Sequence, residues 1–277
     1  GNETRIARNL LSHGYIIIAV DLRGVGASFG PPVSYKNADQ MQDIQGRDGY
    51  DVLEWAARQS WSTGNAGLFG TSWMALIQPI IAATKPPSLK AIFPMQHWFG
   101  YDLQVAPISF KRYVESVAKM NRYRGNKGIK EHLKIDGIYG DIVPVDGPAG
   151  PKLLQQALTE RLGYESPKFD DNSIFDFWAR EEPLLGKDAR RLEVPMYSWQ
   201  GLYDSEPIAP VLWKVNAKAP VKAVVGPWTH GADEPNDAKG EAQKTLNLVE
   251  SLRWFDYWLK GIENDVMEEP SIRYAVI

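Results

Sequence analysis

The sequence predicts an α/β protein built on a doubly wound, mainly parallel sheet, and three observations lead there. Short apolar runs alternate with helical patterns through most of the chain. One run ends in Gly70-Thr71-Ser72-Trp73, and an apolar helical stretch follows at once. Two later runs each end in a turn carrying a chemically useful side chain, Asp204 after one and His230 after the other. In an open α/β sheet, the loops at the carboxyl ends of the strands converge on a site.

In chain order, Thr4 to Leu11 reads as an amphipathic helix and Tyr15 to Val20 as a strand. Gln42 to Gln59 has helical periodicity, followed by a strand over Asn65–Phe69 and a helix over Met74–Ala83. Leu89–Pro94 is the next strand candidate. From Phe99 to Leu192 the pattern changes. Helical segments around Ile108–Asn121, Ile129–Ile135 and Leu153–Leu162 alternate with Gly/Pro-rich stretches such as Gly140 to Pro151. Strand-like runs return at Val194–Trp199 and Val221–Val225, with a short helix at Val211–Val215 between them. An amphipathic helix from about Ala242 to Leu259 and a strand-like tail, Ser271 to Ile277, complete the chain. The division is a discontinuous core, 1–99 and 190–277, around a helical insertion, 100–189.

The turn at Ser72 has the strand–turn–helix context of a nucleophile elbow, in which a strained turn exposes a serine hydroxyl above a helix N-terminus. Gly70, two residues before the serine, lets neighbouring backbone come close where a Cβ would obstruct it. The second Gly of such motifs is absent, since Met74 stands there, and an unreactive serine in a strand–helix turn suits this segment alone equally well. The downstream residues shift the balance. The order Ser72, Asp204, His230 is that of α/β-hydrolases and differs from the two other well-known triad orders. Of the four histidines, His13 ends a helix and His132 lies in a charged helical stretch, which suits surface roles. His97 follows a strand end and is a candidate site-lining residue. His230 is the base this order selects. The backbone N–H of Trp73, directly after the serine at a helix start, is the expected oxyanion donor.

At this point a family resemblance is specific. The stretches Asp21-Leu22-Arg23-Gly24-Val25-Gly26-Ala27-Ser28-Phe29-Gly30, Asp48-Gly49-Tyr50-Asp51 with Glu54-Trp55, and Gly67-Leu68-Phe69-Gly70-Thr71-Ser72-Trp73 carry its first half. Phe175-Asp176-Phe177-Trp178-Ala179-Arg180-Glu181, Gly201-Leu202-Tyr203-Asp204, Gly226-Pro227-Trp228-Thr229-His230-Gly231 and Leu252 to Gly261 carry the rest. Together they resemble the cocaine esterase / X-prolyl dipeptidyl peptidase family of α/β-hydrolases, which includes α-amino acid ester hydrolases. The resemblance runs from about residue 6 to the C-terminus. It implies an α/β-hydrolase fold with an inserted helical cap over 100–189, with Ser72 as nucleophile, Asp204 as orienting acid and His230 as base. Where the family usually has Tyr after the nucleophile and Gly three residues after it, this chain has Trp73 and Ala75, changes the elbow is expected to survive. The family's N-terminal strands, with the loop bearing an oxyanion-hole tyrosine, have no counterpart here. The family's β-sandwich would begin at the tail strand. The resemblance therefore implies a segment of a longer hydrolase, with a short natural relative as the alternative.

The activity implied is ester or amide cleavage through an acyl-enzyme, as a carboxylesterase or α-amino acid ester hydrolase first and an X-prolyl dipeptidyl peptidase as the alternative. A non-catalytic α/β-hydrolase-like binding domain is the reading from another class. No cofactor is needed for this chemistry, and the partner is a small ester or amide. Glu206, two residues past Asp204, resembles one member of the carboxylate cluster that binds a substrate ammonium group in α-amino acid ester hydrolases. Pro207 replaces a second acid, and a solvated loop residue is the competing reading.

Composition narrows the rest. With 277 residues, 44% of them apolar, the chain can bury a sizeable core. A net charge of −3 gives no electrostatic reason to expect nucleic acid or an anionic membrane surface. No apolar run approaches the roughly 18 residues of a membrane span. The absence of cysteine excludes disulfides, thiol catalysis and Cys-zinc sites and leaves the compartment open. Most of the ten tryptophans suit a core. Trp98, Trp178 and Trp228 lie beside site loops and are candidates for lining an apolar pocket. The Gly24–Gly30 stretch superficially matches a dinucleotide loop. Its third Gly is displaced by one position, and Pro31-Pro32 blocks the helix that would bind a pyrophosphate. The acidic pairs Asp170-Asp171 and Glu181-Glu182 lack His partners at ligand spacing and read as solvated faces, so no metal is expected.

Overall fold

Five parallel strands stand side by side in the order in which the chain makes them. They belong to a computed structural model that describes residues 2–24, 28–30, 38–97, 192–204, 207–230 and 238–275, with isolated positions at 152, 153, 156 and 190. The strands are β1 (Ala66–Thr71), β2 (Leu89–Met95), β3 (Met196–Gly201), β4 (Val221–Gly226) and β5 (Ile272–Tyr274). Helices α1 (Asn2–Ser12), α2 (Ala38–Ala57), α3 (Trp73–Ala83), α4 (Ala209–Asn216) and α5 (Ala238–Lys260) accompany them. Thr71 pairs with Met95, Met95 with Trp199 and Trp199 with Val224, so β1 to β4 end level with one another. That shared edge is where the site is built.

The sheet is apolar on both faces because helices cover both, as a parallel sheet requires. Alternation along β2 shows the division. Ile92 turns to a core containing Leu53 of α2, Leu76 and Ile80 of α3 and Trp213 of α4. Ala91, Phe93 and Met95 turn to a core with Ile6 and Leu10 of α1 and Trp254 and Phe255 of α5. The second core is rich in aromatic rings: Phe93 stacks on Tyr197 with centroids 5.1 Å apart, and Tyr197 meets Trp254 edge-on at 5.4 Å. The indole N–H of Trp254 donates to the carbonyl of Ile92 at 3.1 Å, so this buried polar group is satisfied inside the sheet.

Two expectations need correction. Tyr15 to Val20 belongs to none of the five strands. Tyr15 and Ile17 pack on the aromatic core while Ile16 and Ile18 face solvent. The alternating pattern is therefore satisfied by one-sided packing without a hydrogen-bonded ladder. The tail strand, expected to open a β-sandwich, instead pairs with β4 as the fifth strand of this sheet. A charged cluster fastens it. Arg273 of β5 bonds the buried Glu250 carboxylate of α5 at 2.8 Å and also reaches the Tyr197 hydroxyl. Arg253 bridges Glu250 and Glu269 at 3.2 and 2.6 Å. Burial drives the Tyr197 hydroxyl pKa far up, with the neighbouring Glu250 carboxylate adding to it.

By chain proximity the protein divides into one unit of Gly1–Ile18, Gly46–Leu103 and Glu181–Ile277, and another of Ala19–Gln45 and Gln104–Arg180. In the second, the Gly24 N–H donates to the Phe29 carbonyl at 3.2 Å and the Ser28 hydroxyl to the Asp21 carbonyl at 2.6 Å, closing a turn. Apart from positions 152, 153 and 156, the helical cap expected over 100–189 lies outside the described residues, as do Trp98, Trp178, Glu206, His132 and the acidic pairs at 170–171 and 181–182. Among the described residues, no helix is long and apolar enough to cross a membrane.

Candidate active site

Ser72 is the single residue between β1 and α3, and its backbone lies at φ 60°, ψ −119°. A side chain larger than glycine's holds such a conformation at a cost of about 1–3 kcal/mol and persists only where the surroundings impose it. The surroundings here are specific. The Ser72 N–H donates to the Met95 carbonyl at 3.0 Å, the last rung of the β1–β2 ladder. The Ser72 carbonyl accepts from Ala75 and Leu76 at 3.0 and 2.9 Å, starting α3 without an intervening loop. Gln78 of α3, buried, accepts from the Phe93 N–H at 3.1 Å and so ties the helix to β2. A Cβ on Gly70 would lie 2.6 Å from the Met74 Cβ, which is why the position two before the serine has none. Met74 occupies the position of the missing second Gly and is 50% exposed, so its bulk is accommodated in solvent. Trp73 is the first helical residue, where backbone N–H groups and the helix dipole present partial positive charge.

Asp204 follows β3 in a tight turn closed by its own N–H on the Gly201 carbonyl at 3.2 Å. His230 follows β4. The His230 Nδ1 stands 3.0 Å from Asp204 Oδ1 and 3.2 Å from Oδ2. The Asp204 side chain is 2% exposed and that of His230 38%, so a buried carboxylate holds a partly exposed ring. The hydrogen bond to Asp204 raises the His230 pKa above its ordinary value. Burial opposes the rise, and the carboxylate charge adds to it. Because a carboxylate accepts, the proton on the neutral ring sits on Nδ1 and the lone pair on Nε2.

Trp228 holds these two turns in register. Its ring stacks on Trp199 with centroids 5.2 Å apart and planes 6° from parallel. Its carbonyl accepts from the Tyr203 N–H at 3.1 Å, one residue before Asp204. Cβ atoms on Gly201 and Gly226 would lie 2.2 and 1.9 Å from Trp228, so both glycines make room for it. The structure thus places Trp228, a sequence candidate for pocket lining, half-buried between the Asp and His turns.

Sequence reasoning missed the polar layer under the site. Gln96, 2% exposed, follows β2 at φ 51°; its N–H donates to the Trp199 carbonyl at 2.6 Å, and its Nε2 donates to the Thr229 carbonyl. His97, a candidate for lining the site, is buried instead: its Nε2 lies 2.7 Å from the Ser198 Oγ, and its N–H donates to Gln200 Oε1 at 3.1 Å. Nothing in the spacing marks these residues, because their partners lie more than a hundred positions away. His13 is exposed and caps its own helix end through the Asn9 carbonyl at 2.7 Å. Among the described residues, no group of three or more His, Cys, Asp or Glu is arranged to hold a metal ion.

Residues 2–232 match the X-Pro dipeptidyl-peptidase (S15 family). A Bacillus anthracis protein provisionally named Xaa-Pro dipeptidyl-peptidase is 25% identical over 289 residues, covering 94% of this chain and 40% of its own. The cocaine esterase of a Rhodococcus species is 36% identical over 81 residues, 29% of this chain and 13% of its own. An α-amino acid ester hydrolase structure superposes with a TM-score of 0.58 at 18% identity, covering 98% of this chain and 47% of its own, and supports the fold. The chain thus spans less than half the length of these relatives.

Proposed function

The chain belongs to the X-Pro dipeptidyl-peptidase (S15) family, and we propose on that premise that it is a serine hydrolase working through Ser72, His230 and Asp204. The observation that carries the reading is the His230–Asp204 bond at 3.0 Å on the same sheet edge as a serine held in a strained strand–helix turn. An unreactive serine has no need of that backbone, and a surface histidine has no need of a buried carboxylate on Nδ1.

The mechanism is two-step acyl transfer. Ser72 Oγ bonds to the carbonyl carbon of an ester or amide while its proton passes to His230 Nε2. Asp204 holds the ring in the tautomer that can accept this proton and stabilises the resulting imidazolium. Negative charge gathers on the carbonyl oxygen, and the donor assigned to it here is the Trp73 N–H, directly after the serine at the start of α3. The tetrahedral species collapses, the leaving group takes the proton from His230, and the acyl group stays on Ser72. Water then attacks with His230 again as base, releasing the acid and restoring the serine.

The substrate class is a small ester or amide. Carboxylesterase and α-amino acid ester hydrolase activities come first, with X-prolyl peptidase activity as the alternative. A panel of simple acyl esters, amino-acid esters and X-Pro-anilides, run on the wild type and on Ser72→Ala, tests the proposal. Turnover of at least one class that vanishes in the folded variant supports it. Equal turnover in both proteins refutes it.

A further inference from the structure

The nucleophile and the base leave strands that are not neighbours. Ser72 follows β1 and His230 follows β4, three strand spacings apart, roughly 14 Å at about 4.8 Å each. A proton cannot pass over that span, so the turns must lean toward each other. On the serine side, the Ser72 N–H bonds the Met95 carbonyl as the last rung of the β1–β2 ladder, which ties the elbow to the end of β2. On the histidine side the loop after β4 crosses β3, where Trp228 stacks on Trp199. It then reaches β2, where Gln96 donates from its carboxamide to the carbonyl of Thr229, the residue before His230. Met95, the last residue of β2, and Gln96, the next one, therefore hold the nucleophile's turn and the base's turn.

Gln96 is an unusual residue for a passive filler. It is buried, polar and at φ 51°, a left-handed conformation that disfavours a side chain. Its own N–H is held by the Trp199 carbonyl, which fixes the backbone from which the side chain reaches out. An apolar side chain of the same length would fill the space and leave the Thr229 carbonyl without this donor, so what the glutamine adds is direction.

Resting on the hydrolase reading above, we infer that Gln96 is a positioning residue for His230, a strut from β2 that carries the base back across β3 to within reach of Ser72. It acts through the peptide that precedes the histidine. Releasing the strut lets the His230 turn relax toward β4, which stretches the bond to Asp204 as well as the approach to Ser72.

The test is Gln96→Met, of similar length without the donor, with Gln96→Asn, too short to reach Thr229, as the second variant should the first fail to fold. Each is compared with wild type for melting temperature, kcat, KM and pH–rate profile on an ester that the wild type hydrolyses, with Ser72→Ala and His230→Ala alongside. The expected result is a fall in kcat toward about 100-fold, as for a catalytic group misplaced by roughly 1 Å, with KM nearly unchanged. The rising limb of the profile should also move to lower pH, since the Asp204 bond that raises the His230 pKa is loosened. If the folded variants keep the wild-type kcat and profile, or lose rate without moving the limb, Gln96 is structural only and the inference fails. If Ser72→Ala or His230→Ala keeps activity, the hydrolase reading fails instead.

Discussion

Replacing Asp204 with asparagine is the most informative single change to the proposed site. The carboxylate is almost fully buried and lies 3.0 Å from His230 Nδ1, while the ring is over a third exposed. An amide can donate to Nδ1, and the ring proton then moves to Nε2, the atom that must accept the serine proton. Loss of the correct tautomer in such a triad costs about 10⁴-fold in kcat, which corresponds to about 5.4 kcal/mol at about 1.36 kcal/mol per tenfold. The pH dependence gives an independent sign. In the wild type the Asp204 hydrogen bond raises the His230 pKa, so the rate limb, which follows neutral histidine, rises at a pH above the ordinary ~6.5. In Asp204→Asn only the opposing effect of burial remains, and the residual activity should rise below that pH.

Stability follows the same linkage. A raised folded pKa stabilises the protein fully below the unfolded value, and the effect is lost as pH rises through the folded one. The variant should therefore lose more melting temperature relative to wild type at pH 5.5 than at pH 8.5. The assay is ester hydrolysis from pH 5 to 9 under conditions where acylation limits the rate, with melting curves at both ends. A folded Asp204→Asn protein with wild-type kcat, or with its limb moved upward, would refute the pairing argued for His230.

Two further outcomes are expected. Gly226→Ala places a Cβ 1.9 Å from the Trp228 ring. Overpacking of this kind costs about 1–3 kcal/mol, and here it should also displace the His230 turn. Melting temperature and kcat should fall together, while an unchanged kcat in a destabilised protein would show that Trp228 does not set the turn. Glu206→Gln should raise KM selectively for free-amine acyl groups if this carboxylate binds the substrate ammonium, by a few kcal/mol for a partly buried pair, about 10²-fold or more. Equal effects on amino-acid esters and acetyl esters would favour a plain carboxylesterase.

The strands and the Ser72 turn at the candidate site's edge of the sheet were legible because each is local in sequence. The expected β1 to β4 differ from the observed strands by at most two residues at either end, since each is a short apolar run closed by Gly or a turn. The Ser72 elbow was legible for the same reason. Gly70 precedes the serine by two, and its lack of a Cβ answers to Met74, four residues on. Features that depend on partners far along the chain were not. Tyr15 to Val20 carries a strand's alternation, but whether such a run joins a ladder depends on a neighbour that periodicity does not name. The tail strand's place beside β4 depends on Arg273 meeting Glu250 and Tyr197, three residues from separate elements. Gln96 looks like an ordinary polar residue after a strand, and His97 like a residue lining the site. Their roles arise only when Thr229 and Ser198 are brought over them. Trp228 was noticed for its neighbourhood, but its stacking on Trp199 and fit against Gly201 and Gly226 are properties of the folded sheet edge.

The central claim is that Ser72 forms the covalent acyl intermediate, and covalent labelling followed by peptide mapping tests it most directly. Treatment with a fluorophosphonate should add one organophosphoryl group to the protein, on Ser72, and His230→Ala should slow the labelling severely while the fold is retained. An adduct on another residue, or undiminished labelling of a folded Ser72→Ala protein, would contradict the account.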